Sequence, residues 1–264
     1  MITKNGITFG PQAWTHLEIS DNCSLRCRMC EQAGELEWHR DKTKVHPVSR
    51  SHMSLELWEK ILNDFAAMGI EFNEVDPFWM GESLLNPHFP EMMQSLKAIN
   101  LKHRLFKTFK LHTNGLNLSA INANAVLDCC APLEYSRVVF SVDAVRSATF
   151  LKVKGVDGMD MVNHNIRDFI SAKLSRGMVF PKVVLQLIVL EENQDEVGEF
   201  VAYWQEFLKE EGLATEFCHK TKKEAMVAKN NAVIIFFEKE NTSPAKDAAA
   251  WGRYNSVVSK YGNQ

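Results

Sequence analysis

WTHLEISDNCSLRCRMC, residues 14–30, decides how the rest of the chain is read. An apolar, strand-like run from Trp14 to Ser20 ends in the polar pair Asp21-Asn22, and Cys23, Cys27 and Cys30 follow in C-x3-C-x2-C spacing. A structural zinc site takes four ligands, and a small iron-sulfur cluster held wholly by protein takes four thiolates. Here three thiols fall within eight residues, and the next cysteine is Cys129. Three cysteines on a four-iron cluster leave one iron without a protein ligand, as a catalytic metal site keeps one position open for its substrate. A zinc site completed by a distant fourth ligand, or a non-catalytic metal module that binds a partner, is the competing reading of the triplet.

Length and composition set the frame around that loop. At 264 residues and 30.1 kDa the chain can bury one sizeable core, and α/β barrels of this size commonly form one domain. A formal net charge of -3 and a pI near 6.3 offer no electrostatic case for nucleic acid or an anionic membrane. No run approaches the roughly 18 apolar residues of a membrane helix, and MITKNGITFG lacks a charged-then-apolar leader, so the expected compartment is the cytoplasm. In that reducing setting six cysteines, three of them clustered, read as metal-binding rather than as a disulfide framework.

Outward from the triplet, strand and helix signals alternate. Residues 31–53 are polar and aperiodic, carry His39, His46 and His52, and read either as a flap over the cysteine loop or as a solvated excursion whose histidines are not ligands. Ser54 is a helix N-cap signal, and the apolar stripe after it ends at Gly69. FNEVDPFWMGESLLNP (72–87) starts extended and breaks at Gly81-Glu82; a helix is expected over 91–100. A strand over 105–112 closes on Thr113-Asn114-Gly115, a tight-turn sequence. Cys129 and Cys130, at the end of the next helix, read as small core residues. SRVVFSVDA (136–144) is a fourth strand, and a helix over 158–176 carries Met161, Ile166, Phe169 and Ile170 as a stripe. VVLQLIVLEEN (183–193) is apolar enough for a parallel strand covered on both faces, interrupted by Gln186, whose amide needs partners or a ligand. A helix over 194–211 and the short strand LATEFCH complete six strand-helix units, which argue a parallel α/β sheet curved into an open partial barrel.

The order of these features resembles the radical S-adenosylmethionine (radical SAM) family, whose signature is C-x3-C-x2-C in the loop after the first barrel strand. Over residues 14 to about 218 the resemblance implies an α/β fold, a partial (β/α)6 TIM-like barrel, with one [4Fe-4S] cluster on Cys23, Cys27 and Cys30. It further implies that S-adenosylmethionine chelates the open iron and is split by one electron into methionine and a 5′-deoxyadenosyl radical that takes a hydrogen atom from substrate. A flavodoxin or ferredoxin would be the electron donor. Met29 stands where relatives usually have an aromatic residue near adenine. Gly81 and Glu82 match the family's GGE-P motif, in which backbone and carboxylate meet the cofactor's amino group; Met80 replaces its first glycine. Asn114 matches a TNG turn lining the cofactor pocket. Ser141 and Asp143 match a Ser-x-Asp pattern near its carboxylate or ribose, with Ala144 for the usual glycine, and Lys154-Gly155 replaces an Arg-Gly pair. Gln186, if it points inward, is a further cofactor contact.

Residues 1–218 are therefore expected to form the core, and 219–264 an extension packing on or closing the barrel. Relatives with this style of core often continue into a cysteine-rich SPASM extension; with only Cys218 after Cys130, this stretch is not expected to build one. Cys218, at the end of the sixth strand, is the candidate catalytic hydrogen donor, with a packing thiol as the alternative. The expected substrate is a small molecule or a peptide side chain, undergoing epimerisation, dehydrogenation or rearrangement. The motifs address the cofactor and leave the substrate open.

Overall fold

A computed structural model of the chain describes residues 2–4, 7–9, 14–30, 51–219, 230–242 and 244–262. Most of the expected flap, with His39 and His46, lies outside them. A short antiparallel pair, β1 (Ile2–Lys4) and β2 (Ile7–Phe9), precedes the main sheet. The main elements follow in alternation: β3 (Trp14–His16), α1 (Leu55–Met68), β4 (Phe72–Asp76), α2 (Phe89–His103), β5 (Phe106–Thr113), α3 (Ala120–Cys130) and β6 (Tyr135–Ser141). Then come α4 (Ser147–Lys154), α5 (Met159–Ser175), β7 (Lys182–Val189), α6 (Val197–Glu210), β8 (Thr215–His219), β9 (Val233–Lys239) and α7 (Pro244–Tyr261). The seven-stranded sheet runs β3-β4-β5-β6-β7-β9-β8 with every neighbouring pair parallel, a curved α/β sheet left open between β3 and β8.

Local chemistry sets the element ends. Ser54 caps α1 by accepting from Leu57 N–H at 3.2 Å, and Gly69, at φ 62°, takes the left-handed turn that ends it. The strand expected over 14–20 stops at His16 because its continuation changes partner. Ile19 O accepts from Met53 N–H at 2.9 Å, and Ser20 bridges His52 antiparallel. In α5 the buried stripe is Val162, Ile166, Phe169 and Ile170, while Met161 faces solvent, one position off the expected face.

The stretch beyond residue 219 enters the sheet. Val233–Lys239 inserts between β7 and β8 as a strand of the sheet. Its residues explain the order: β9 is buried along its first five positions, whereas β8 is only half covered and suits an edge. Val138, Phe140, Val183, Leu185, Ile235 and Phe237 turn outward into the main core with the helices. By strand alternation, His112, Val139, Val184, Gln186, Ile234, Phe236 and Cys218 share the concave face. Among the described residues no helix is long and apolar enough to cross a membrane.

Candidate active site

The cysteine loop lies at the carboxyl ends of the strands, where parallel barrels assemble their sites. It is clamped from several sides. On one flank, Glu18 Oε1 accepts from Met80 N–H (2.7 Å) and Gly81 N–H (3.0 Å), and Glu82 N–H donates to Asn22 O at 2.7 Å. Gly81 presses against the backbone: a Cβ there would lie 2.7 Å from Asp21 Cα and inside the van der Waals shell of Ser20 O. On the other flank the last carbonyls of α4 receive the loop. Arg26 N–H donates to Lys154 O (2.8 Å) and Arg28 N–H to Val153 O (3.0 Å). Gly155, at φ 77°, makes this fit possible, since a Cβ would come within 2.7 Å of Arg26 Cβ. Asp21 Oδ1 takes Ser51 N–H at 2.5 Å, and Ser24 Oγ donates to Asn117 Oδ1 at 2.9 Å.

Cys23, Cys27 and Cys30 are free and partly exposed, whereas Cys129, Cys130 and Cys218 are buried. Met29 sits in the turn between Cys27 and Cys30, partly exposed. Burial pushes the Cys27 thiol up to about 11 and raises Cys23 as well; Lys154 pulls both the other way. Cys23 Sγ accepts from Leu25 N–H at 3.5 Å and faces Asn114 Nδ2 at 3.9 Å. Amide N–H groups aimed at a sulfur suit a thiolate ligand of an iron-sulfur cluster. Among the described residues no three His, Cys, Asp or Glu side chains gather where a single metal ion could sit.

Glu82 is wholly buried and joins this loop to the turn after β5. Its Oε1 accepts from Leu84 N–H (3.2 Å) and Thr113 Oγ1 (2.9 Å), and its Oε2 from Asn114 N–H (2.8 Å). Burial raises its pKa, and these donors pull it back down. Asn114 Oδ1 closes the turn on Leu116 N–H at 2.9 Å. Ser141, Asp143 and Lys154 form a second buried group. Lys154 Nζ donates to Asp143 Oδ2 at 2.5 Å and reaches Ser141 Oγ at 3.4 Å, while Ser141 Oγ donates to Asp143 at 3.1 Å. Burial works against the lysine's charge, but Asp143 and then the Cys27 thiol outweigh it, so its pKa rises. Removing one member of such a buried pair costs about 3–5 kcal/mol because the other charge stays behind. Asp143 Oδ1 also takes Ile188 N–H at 2.7 Å, which holds its φ of 60°.

Gln186 lies on the concave face, with both ends of its amide engaged by protein. Nε2 donates to the Glu238 carboxylate, so Oε1 faces His112 Nε2, at 2.7 Å. A carboxylate can only accept, so this order places the proton of His112 on Nε2 and leaves Nδ1 bare. Burial, then the charge of Lys110, holds the His112 pKa down to about 3. That shift predicts a pH effect. A histidine held neutral in the fold stabilises it above pH 6.5 and progressively less as the pH falls from there towards 3. The stability gap between the protein and its His112→Gln variant should therefore shift by about 1.4 kcal/mol per pH unit in urea titrations between pH 6 and 4.5. Next along the same face, Lys110 pairs with Asp76 at 2.7 Å and Arg137 with Glu74 at 2.8 Å; Asp76 Oδ1 is buried without a hydrogen-bond partner among the described residues.

Cys218 stands apart from the cysteine loop. It is fully buried with Val139, Val184, Ile234 and Phe236, an apolar cluster on the concave face, which is where a packing residue rather than an accessible thiol belongs. Sequence reasoning had passed over Glu18, His112 and Arg28. Only their place beside the motifs could have singled them out, since an isolated Glu, His or Arg carries no pattern.

No protein-family model matches the chain. Among curated proteins it is 23% identical over 193 residues to the tungsten-containing aldehyde ferredoxin oxidoreductase cofactor-modifying protein of Pyrococcus furiosus, covering 72% of this chain and 47% of that one. It is 24% identical over 194 residues to the GTP 3′,8-cyclase of Lactiplantibacillus plantarum, covering 72% and 50%. Among solved structures, anSMEcpe with bound AdoMet and Cp18Cys peptide superimposes with a TM-score of 0.55 at 14% identity, over 93% of this chain and 58% of that one. These matches join the triplet at the end of the first strand and the open parallel barrel. These similarities all point to the radical SAM family. It spans about half the length of the curated relatives it matches. Within a radical SAM frame, Glu82, Asn114 and Lys154 converge on the cysteine loop, and Gln186 is turned towards His112 and Glu238 instead.

Proposed function

We propose that the chain is an enzyme that abstracts a hydrogen atom from a polar small molecule or peptide side chain, using one [4Fe-4S] cluster and S-adenosylmethionine. The observation that carries this reading is the cysteine loop itself: three free thiols on one rim, clamped on opposite flanks, above a concave face that carries Lys110, Asp76, Arg137, Glu74 and His112 beside an apolar cluster. Cys23, Cys27 and Cys30 would hold three irons, and Leu25 N–H and Asn114 Nδ2 would support the Cys23 thiolate. Bound there, cluster and S-adenosylmethionine supply a 5′-deoxyadenosyl radical. Lys154 sets a fixed positive charge beside the thiolates, and Glu82 fixes the Gly81 and Asn114 backbones that border the cofactor position. Ser141 and Met29 complete the border.

The substrate would lie against His112, Lys110 and Arg137, where groups that donate to the bare His112 Nδ1 find a permanent acceptor. Paired charges on this face favour a polar substrate over a hydrocarbon one. The electron would come from a flavodoxin or ferredoxin. Modification of a peptide is the second reading, favoured by the peptide held in the anSMEcpe complex.

Anaerobic reconstitution with iron and sulfide, then dithionite and S-adenosylmethionine, tests the proposal. Formation of 5′-deoxyadenosine is the expected result. A colourless zinc protein that leaves S-adenosylmethionine whole would favour a non-catalytic module.

A further inference from the structure

Arg28 lies between two of the cysteines, and no motif claims it. Its backbone N–H is held by Val153 O, while its side chain reaches across the rim in the other direction. One guanidinium nitrogen pairs with Glu192, just beyond β7, and the other lies 3.6 Å from Glu240, just beyond β9. Glu240 in turn pairs with Arg253 of α7 at 2.7 Å. The two carboxylates are almost wholly buried, and a planar guanidinium fork presents separate nitrogens to the two of them, a spread that a compact ammonium lacks. Glu192 depends on this contact. Among the described residues its Oε2 is buried with no hydrogen-bond partner and Arg28 is its one ion-pair partner.

We propose that Arg28 is a positioning residue that ties the cysteine loop to the β9-α7 unit, so that the placing of the loop and the docking of residues 233–261 are a single coupled event. The coupling is reciprocal by thermodynamic necessity. Filling the loop with a cluster must tighten β9 and α7, and loosening β9 and α7 must weaken the loop's hold on iron. The inference rests on the proposed function only for the identity of what the loop holds; the clasp itself is made of protein side chains alone.

The test is amide hydrogen exchange on the full chain, metal-free and after anaerobic loading with iron and sulfide, alongside iron content and the electron paramagnetic resonance of the reduced protein. In the metal-free protein, Arg28→Met should speed exchange across residues 233–261 by tenfold or more. The pair Arg28→Met/Glu192→Gln should be no faster than Arg28→Met. Loading should slow exchange in 233–261 of the parent but not of Arg28→Met, whose retained iron should fall threefold or more. Arg28→Lys should regain part of both, and its reduced signal should shift less from the parent's than that of Arg28→Met. Unchanged exchange in 233–261 of metal-free Arg28→Met would overturn the proposal, as would parent-like iron retention by that variant. A parent that takes up no four-iron cluster contradicts the functional reading instead, and the metal-free comparison still judges the clasp.

Discussion

Alanine at Cys27 is expected to cut retained iron at least tenfold and to take S-adenosylmethionine cleavage below detection, whereas alanine at Cys129, Cys130 or Cys218 leaves both near the parent level. The six thiols divide by environment. Cys23, Cys27 and Cys30 sit partly exposed on a clamped loop beside Lys154, while the other three are sealed in apolar packing. Only a deprotonated thiol binds metal, and iron must displace the proton that burial keeps on Cys27. Loss of one ligand from three leaves two, which cannot hold a cube of four irons against exchange. The buried cysteines answer to packing instead, and their alanine variants should lose about 1–3 kcal/mol of stability in urea unfolding. Should Cys218→Ala slow turnover of the true substrate while cleaving S-adenosylmethionine normally, Cys218 would be the hydrogen donor instead of a packing residue.

Gly81→Ala is the second large effect. The added methyl would collide with backbone, Ser20 O and Asp21 Cα, and not with a side chain that can swing away. The rim must therefore open between β3 and the loop after β4, breaking the paired acceptance by Glu18 and the Glu82 N–H to Asn22 O bond. Shifting the cysteine loop by about 1 Å is enough to cost on the order of 100-fold in rate. Formation of 5′-deoxyadenosine should fall by that factor or more, while circular dichroism keeps its helical signal because the helices lie on the far side of the sheet. An alanine variant with parent activity would mean that the rim tolerates what its geometry forbids.

Much of this arrangement was legible in residue order. Ser54 and Gly69 announce both ends of α1, and a tight-turn Thr-Asn-Gly after an alternating strand announces the rim at Asn114. The cysteine spacing stands out because few residues share its chemistry. The place of β9 was not legible, because an apolar run states that it will be buried but not between which neighbours; that is decided by pairing across about fifty residues from β7. Gln186 illustrates the same limit. Its need for partners is written in the sequence, but His112 and Glu238 become its partners only when three strands align. Lys154 and Asp143 were legible as motif positions, yet their mutual ion pair depends on the left-handed turn at Asp143.

The central claim is that three sulfur ligands leave one iron free for S-adenosylmethionine. Electron paramagnetic resonance of the anaerobically reconstituted, dithionite-reduced protein, recorded with and without S-adenosylmethionine, tests it most directly. A reduced four-iron signal whose g values move when S-adenosylmethionine is added is the predicted result. A four-iron signal indifferent to S-adenosylmethionine, or no such signal at all, would contradict the account.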